Sequence, residues 1–266
     1  MNYGAERIIC LTEETTETLY LLGESDRIVG VSGFTVRPKQ AKKEKAVIST
    51  FLDAKIDEII ELKPDLVIGF SDIQADIAQQ LIKRGVSVWV NNYRSVDGIL
   101  KMIVQLGSLV DKRNEAVRIA EQYHQKIQRI KKETALWKKR PKVYFEEWDD
   151  PMISGIQWVS ELVEIAGGID IYPEESRSSL AKGRIIKDGE RTISHNPDII
   201  LASWCGKMYK PKRMFDRPGW KAINAYQNDF YREINSAIIL QPGPAALTDG
   251  LDEIYEITSA WKEQHG

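Results

Sequence analysis

Two short runs of this 266-residue chain gather groups that could do chemistry. "FEEWDD" (145–150) sets Glu146, Glu147, Asp149 and Asp150 around the indole of Trp148, and "SWCGK" (203–207) sets an indole, a thiol and an ammonium group side by side. Clustered carboxylates can hold a cation or do general acid–base work. An ammonium group has no place in an apolar core, so Lys207 at a strand end points to a ligand site. Nucleophilic catalysis lacks its base. The three histidines, His124, His195 and His265, fall on a long helix, at a helix exit and at the terminus, none placed to activate a serine or cysteine. Neither a G-x-x-x-x-G-K-[ST] run nor a G-x-G-x-x-G after the first strand occurs. Cys10 and Cys205 stand far apart with no C-x-x-C pattern, which argues against a disulfide framework or a zinc knuckle.

These groups have to be positioned by the elements around them. "RIICL", "RIVGVS", "DLVIGF" and "VSVWV" are apolar strands separated by helical patterns, one of them stopped by Gly23 and another before Pro64. Strands without polar alternation imply a parallel sheet covered on both faces. The second half follows the same order with "KVYFEEW", "PDIILASW" and "DFYREI", closed by a helix capped by Thr248 or Asp249. "LKPDLVIGF" and "HNPDIILASW" form an internal echo. Between the halves Ala116, Ala120, Tyr123, Ile127 and Ile130 recur at helical spacing without Gly or Pro until Pro141, so 113–139 reads as one long, stiff helix. The expected fold is α/β: two Rossmann-like lobes with parallel sheets, 1–112 and 141–266, joined by a linking helix at 113–140.

Ligands of open parallel sheets bind outside the carboxyl ends of the strands. Those ends carry Phe34 and Arg37, then Phe51, then Phe70 with Ser71 and Asp72. In the second half they carry Glu147, Trp148 and Asp149, then Trp204, Cys205 and Lys207, and finally Gln241 in "LQPGPAALTDG". Trp89 and Trp220 read as packing residues. The net charge of −2 argues against nucleic acid as a partner, and "KKETALWKKRPK" reads as a solvated helix end. No apolar run approaches the roughly 18 residues of a membrane span. The start "MNYGAERIICL" lacks a signal pattern and Cys10 sits in a strand, so as it stands the chain reads as cytoplasmic, or as periplasmic or extracellular if a signal peptide is removed.

"RIICLTEETTETLYLLGESDRIVGVS" and "ISTFLDAKIDEIIELKPDLVIGF" resemble the first lobe of the periplasmic binding proteins of the cobalamin and ferric-siderophore class, and "ELVEIAGGIDIY" with "NPDIILAS" resemble the second. The likeness spans nearly the whole chain, and "STF" at Phe51 is most similar to the cobalamin-binding members. The resemblance implies a non-enzymatic, monomeric protein with no catalytic cofactor and a corrinoid clamped between aromatic side chains. Phe51, Phe70 and Trp148 would then face the ligand, as would Trp204, with Gly206 admitting a bulky ligand and Lys207 meeting its peripheral groups. It implies docking on an ABC permease through Glu190 and a second acidic residue displaced to Asp76. Arg37 stands where cobalamin binders often have a tyrosine and suits an anionic siderophore equally. The alternatives are a ferric-siderophore or haem binder, a chelatase-like enzyme using "EEWDD", and a protein-interaction module.

Overall fold

Strands β1 (Ile8–Cys10) and β4 (Leu66–Phe70) are buried along their whole length in the computed structural model, which describes residues 4–50 and 53–266. Such strands need cover on both faces, and they pair with each other in parallel at the centre of a sheet. Strand β2 (Ile28–Ser32) and strand β3 (Ala46–Ser49) extend it on one side and β5 (Val88–Asn91) on the other, giving the order β3-β2-β1-β4-β5. Ile9, Leu11, Ile48 and Val67 pack here with Ile59, Ile77 and Leu81 from the helices Ile56–Glu61 and Ala75–Lys83. The helix Glu13–Leu21 stops at Gly23 as its sequence signals. That glycine takes φ +74°, its N–H reaches the carbonyl of Tyr20 at 3.1 Å, and Glu24 closes onto Leu19 at 2.9 Å.

A second sheet is built around β6 (Lys142–Asp149), with β9 (Ile199–Ala202) and β10 (Tyr231–Glu233) parallel on one side. The short β8 (Ile169–Asp170) pairs in parallel with the first residues of β6, and β7 (Met152–Ser154) pairs antiparallel with its last ones. This sheet is therefore mixed, where the sequence reading has it parallel. Only Asp150 and Pro151 separate β6 from β7; two residues can close a hairpin but cannot make a parallel crossover. Its core joins Tyr144, Tyr172, Trp204, Tyr209, Phe215 and Trp220, with Tyr144 edge-on to Tyr172 at 5.6 Å and to Trp220 at 5.9 Å.

The internal echo has a structural cause. Asp65 of the first Pro-Asp accepts the N–H groups of Glu6 and Arg7 at 2.7 and 3.0 Å, just before β1. Asp198 of the second accepts the N–H of Lys142 at 2.9 Å, at the start of β6. Each aspartate stitches the strand that follows it, β4 or β9, to the central strand of its sheet. In both sheets the strand order reverses at that pair, so the places where ligands are expected lie beyond β1 and β4 and beyond β6 and β9.

By contacts the chain divides into two compact units, Met1–Tyr93 with Asp97–Tyr123 and Arg94–Val96 with His124–Gly266. The division falls within the helix Arg113–Thr134, about 33 Å long at 1.5 Å per residue. This helix ends five residues before the expected 139. There the Thr134 hydroxyl donates to the carbonyl of Ile165 at 3.2 Å, and Trp137 turns to stack on Tyr255. The closing helix Leu251–His265 is entered through a π-helical turn, Ala246–Gly250. Thr248 does not cap it; its hydroxyl donates backward to the carbonyl of Pro244 at 3.0 Å.

Candidate functional site

The carboxyl ends of β6 and β9 are built on charge pairs. Glu146 is fully buried and accepts both ends of the Arg217 guanidinium, at 2.5 and 3.1 Å, together with the Tyr144 hydroxyl and the Trp204 indole N–H, each at 3.0 Å. Burial pushes the Glu146 carboxyl up from its ordinary range, against the pull of these donors. Three residues on, Asp149 has no exposed side-chain surface and is paired with Lys207 and, at 2.5 Å, with Arg213. Glu147 is held by Arg184 at 2.5 and 3.0 Å. An acid or base must exchange its proton with a substrate. Three of the four carboxylates that suggested such work are instead engaged by cations of their own unit, and the fourth, Asp150, is exposed 3.9 Å from Arg213.

The "SWCGK" stretch completes this strand end. The N–H of Lys207 closes a turn onto the carbonyl of Trp204 at 3.2 Å, with Gly206 in the third position at φ +70°, a conformation glycine adopts without penalty. The turn carries the Lys207 ammonium group over the Trp148 ring, 4.4 Å from its centroid, and to 5.1 Å from that of Trp204. Trp204 itself is 2 % exposed and belongs to the core, so it stands behind this surface, where the sequence reading has it facing the ligand. Lys207 likewise spends its charge on Asp149, where the reading offers it to a ligand. Trp148 is half-buried, and Cys205 and Met208, close to Lys207 in sequence, are exposed.

In the first unit, Phe34 is 52 % exposed after β2. Val36 on the same loop and Ile73 after β4 are also exposed, and the sequence reading passed over both. A lone apolar residue in a loop carries no periodic signal to mark it. Phe70 is buried within its unit at 6 % exposure, where the reading has it facing ligand, and Phe51 lies outside the described residues. Arg37 is tied to Glu17 through its Nε at 2.8 Å. Glu13 and Glu14 follow β1, both buried. Burial, then the neighbouring Glu14, pushes Glu13 up to about 8; burial pushes Glu14 to about 7, although Thr12 donates to it at 2.6 Å. A helix N-terminus favours carboxylate charge, but here the loss of hydration wins. Glu13 also accepts the backbone N–H of Val36, so this helix start holds the loop that carries Phe34.

Gln241 is half-buried on the segment after the helical turn Ser236–Ile239. Glu190 and Asp76 are exposed, each in the first turn of a helix. Glu190 lines a pocket of about 670 Å³ together with Asp150, Arg213, Arg217 and Trp220. Sequence reasoning missed Arg213 and Arg217, because a local pattern cannot show that a cation pairs with a carboxylate some 70 residues earlier. Among the described residues no three His, Cys, Asp or Glu side chains are grouped to hold a metal ion, and no helix is long and apolar enough to cross a membrane.

The two α/β units carry exposed apolar groups at their strand ends, and three of the four carboxylates at the end of β6 are paired with cations. The periplasmic binding protein family model matches residues 8–236, and the chain belongs to that family. It is 25 % identical over 257 residues to an uncharacterized ABC transporter substrate-binding lipoprotein, YvrC, of Bacillus subtilis, covering 94 % of this chain and 79 % of that one. It is 28 % identical over 205 residues to the vitamin B12-binding protein of Vibrio campbellii, covering 76 % and 72 %. Its fold matches that of Staphylococcus aureus IsdE complexed with haem at a TM-score of 0.79, with 22 % identity, over 96 % and 99 % of the two chains.

Proposed function

We propose that this chain is the substrate-binding component of an ABC importer and that its solute is a cobalamin-like corrinoid, bound without chemistry by the loops at the carboxyl ends of its strands. The pairing of its site charges carries this reading. Arg37 and Lys207, the two cations that the sequence reading offers to an anionic ligand, are each bound by a carboxylate of their own unit, Glu17 and Asp149. What the loops offer is apolar surface from Phe34, Val36, Ile73 and Trp148. A corrinoid, with broad apolar faces and neutral peripheral amides, suits such a surface. Haem carboxylates or an anionic siderophore would call for uncompensated cations. The B12-binding relative supports the same choice. Exposed Glu190 and Asp76 are the proposed contacts to a permease, and in this reading the protein works outside the cytoplasmic membrane.

Haem is the second reading, favoured by the exposed residues Cys205 and Met208, whose sulfur chemistry suits iron. Calorimetric titration with cyanocobalamin, haem and a ferric hydroxamate decides between them. Covering the exposed half of Phe34 removes about 100 Å² from water, worth about 2.5 kcal/mol before the costs of association. One-to-one cobalamin binding, weakened at least about tenfold by Phe34→Ala or Trp148→Ala, is therefore the expected result. Heat with haem alone, abolished by Cys205→Ser with Met208→Leu, would replace the corrinoid, and silence with all three ligands would remove this reading.

A further inference from the structure

We propose that Lys207 is a positioning residue, holding the Trp148 indole in the orientation that meets the ligand while contributing no charge to the ligand itself. This rests on the ligand-binding reading of the β6 and β9 ends. Trp148 is held from two directions. Its indole N–H donates to the carbonyl of Asp150 at 2.8 Å, and the Lys207 ammonium lies 4.4 Å from its ring centroid. The ammonium group is placed in turn by Asp149, a carboxylate with no exposed surface, and by the buried Trp204 ring 5.1 Å away. Trp204 cannot drift, since Glu146 holds its indole N–H at 3.0 Å.

A lysine side chain in water samples many rotamers, and so does a half-exposed tryptophan. Here the Gly206 turn, the buried carboxylate and two indoles confine both. An aromatic already fixed in its binding orientation loses less freedom when the ligand arrives, so its contact area is converted to affinity more fully. The same arrangement explains a lysine at a site read as taking a neutral ligand. Asp149 needs counter-charge because it is buried, and Lys207 supplies it while its ammonium lies over the Trp148 face.

The test is a double-mutant cycle read by cyanocobalamin calorimetry on the full chain. Lys207→Met is expected to weaken binding about tenfold in the native background but less than about twofold when Trp148 is already alanine, because coupled residues are not additive. Lys207→Arg, which keeps a cation able to stack on an indole, is expected to restore most of the affinity. Equal losses in both backgrounds would mean that Lys207 touches the ligand directly, and would overturn the proposal. Should Lys207→Met not fold, Lys207→Gln, which can still hydrogen-bond to Asp149, reads the same cycle. A second readout needs no ligand: the emission due to Trp148, taken as the difference between the native chain and Trp148→Phe. It is expected to shift to longer wavelength and become more open to acrylamide quenching in Lys207→Met. An unchanged signal would overturn the clamp even if cobalamin binds. A changed signal in a chain that binds no corrinoid would keep the clamp and remove only the ligand reading.

Discussion

Arg217 shows what one side chain contributes here. Both ends of its guanidinium bind Glu146, its Nη2 also donates to the carbonyl of Asp149 at 2.8 Å, and it lies 4.5 Å over the Trp220 ring. Removing one partner of a buried pair leaves the other charge uncompensated, typically at a cost of about 3–5 kcal/mol. Arg217→Met is expected to destabilise the protein by about that amount in urea unfolding. Adding Glu146→Gln should recover part of the loss, because the orphaned charge is then gone. Failure of the second change to recover any stability would mean that Arg217 acts mainly through Trp220. At this scale the sequence singles out residues that the structure gathers, without showing how they pair. Trp148, Asp149, Trp204 and Lys207 do meet around one strand end, but as a self-satisfied network, because pairing over 50 to 70 residues leaves no mark on local composition.

Among the elements, the helix Glu13–Leu21 has the clearest pH signature. Glu13 and Glu14 sit in its first turn with carboxyls raised from an ordinary 4.5 to about 8 and about 7. Between those limits the unfolded chain has released protons that the folded chain keeps. The unfolded state then binds fewer protons, and stability falls as pH rises. The contribution is most favourable below about 4.5, declines through about 7 and 8, and is level above that. The melting temperature is expected to drop between pH 6 and 8.5, and the Glu13→Gln, Glu14→Gln double variant should flatten that drop. An unaltered slope in the double variant would assign it to other groups. The same helix was fully legible in sequence, from its position after β1 to its Gly23 stop. Strand β7 was not, being three residues long and set by a hairpin.

For the molecule as a whole, the testable quantity is linkage between ligand and stability. A solute that binds only the folded chain adds about 2.7 kcal/mol at a free concentration a hundredfold above its Kd. In a chain of this size that raises the melting temperature by about 5–10 °C. Cyanocobalamin is expected to produce this shift, measured by calorimetric or fluorescence melting. No shift at concentrations that saturate the calorimetric signal would show binding that does not favour the folded state. The family likeness, the two α/β units and the repeated Pro-Asp strand entry were all legible at this scale, since each rests on patterns spread over many residues.

The amino-acid sequence by itself determined the class of fold and the strand ends where function is expected. Apolar periodicity, glycine stops and the order of elements are local properties, and together they leave few topologies open. The tertiary structure alone decided which apolar and charged groups near those ends are exposed and which are buried or paired. Burial took Phe70 and Trp204 into their cores, Asp149 and Glu17 took up Lys207 and Arg37, and Phe34, Val36 and Ile73 were left exposed. The physical reason is that exposure and charge pairing depend on which distant segments fold against a residue, and no stretch of chain carries that information alone.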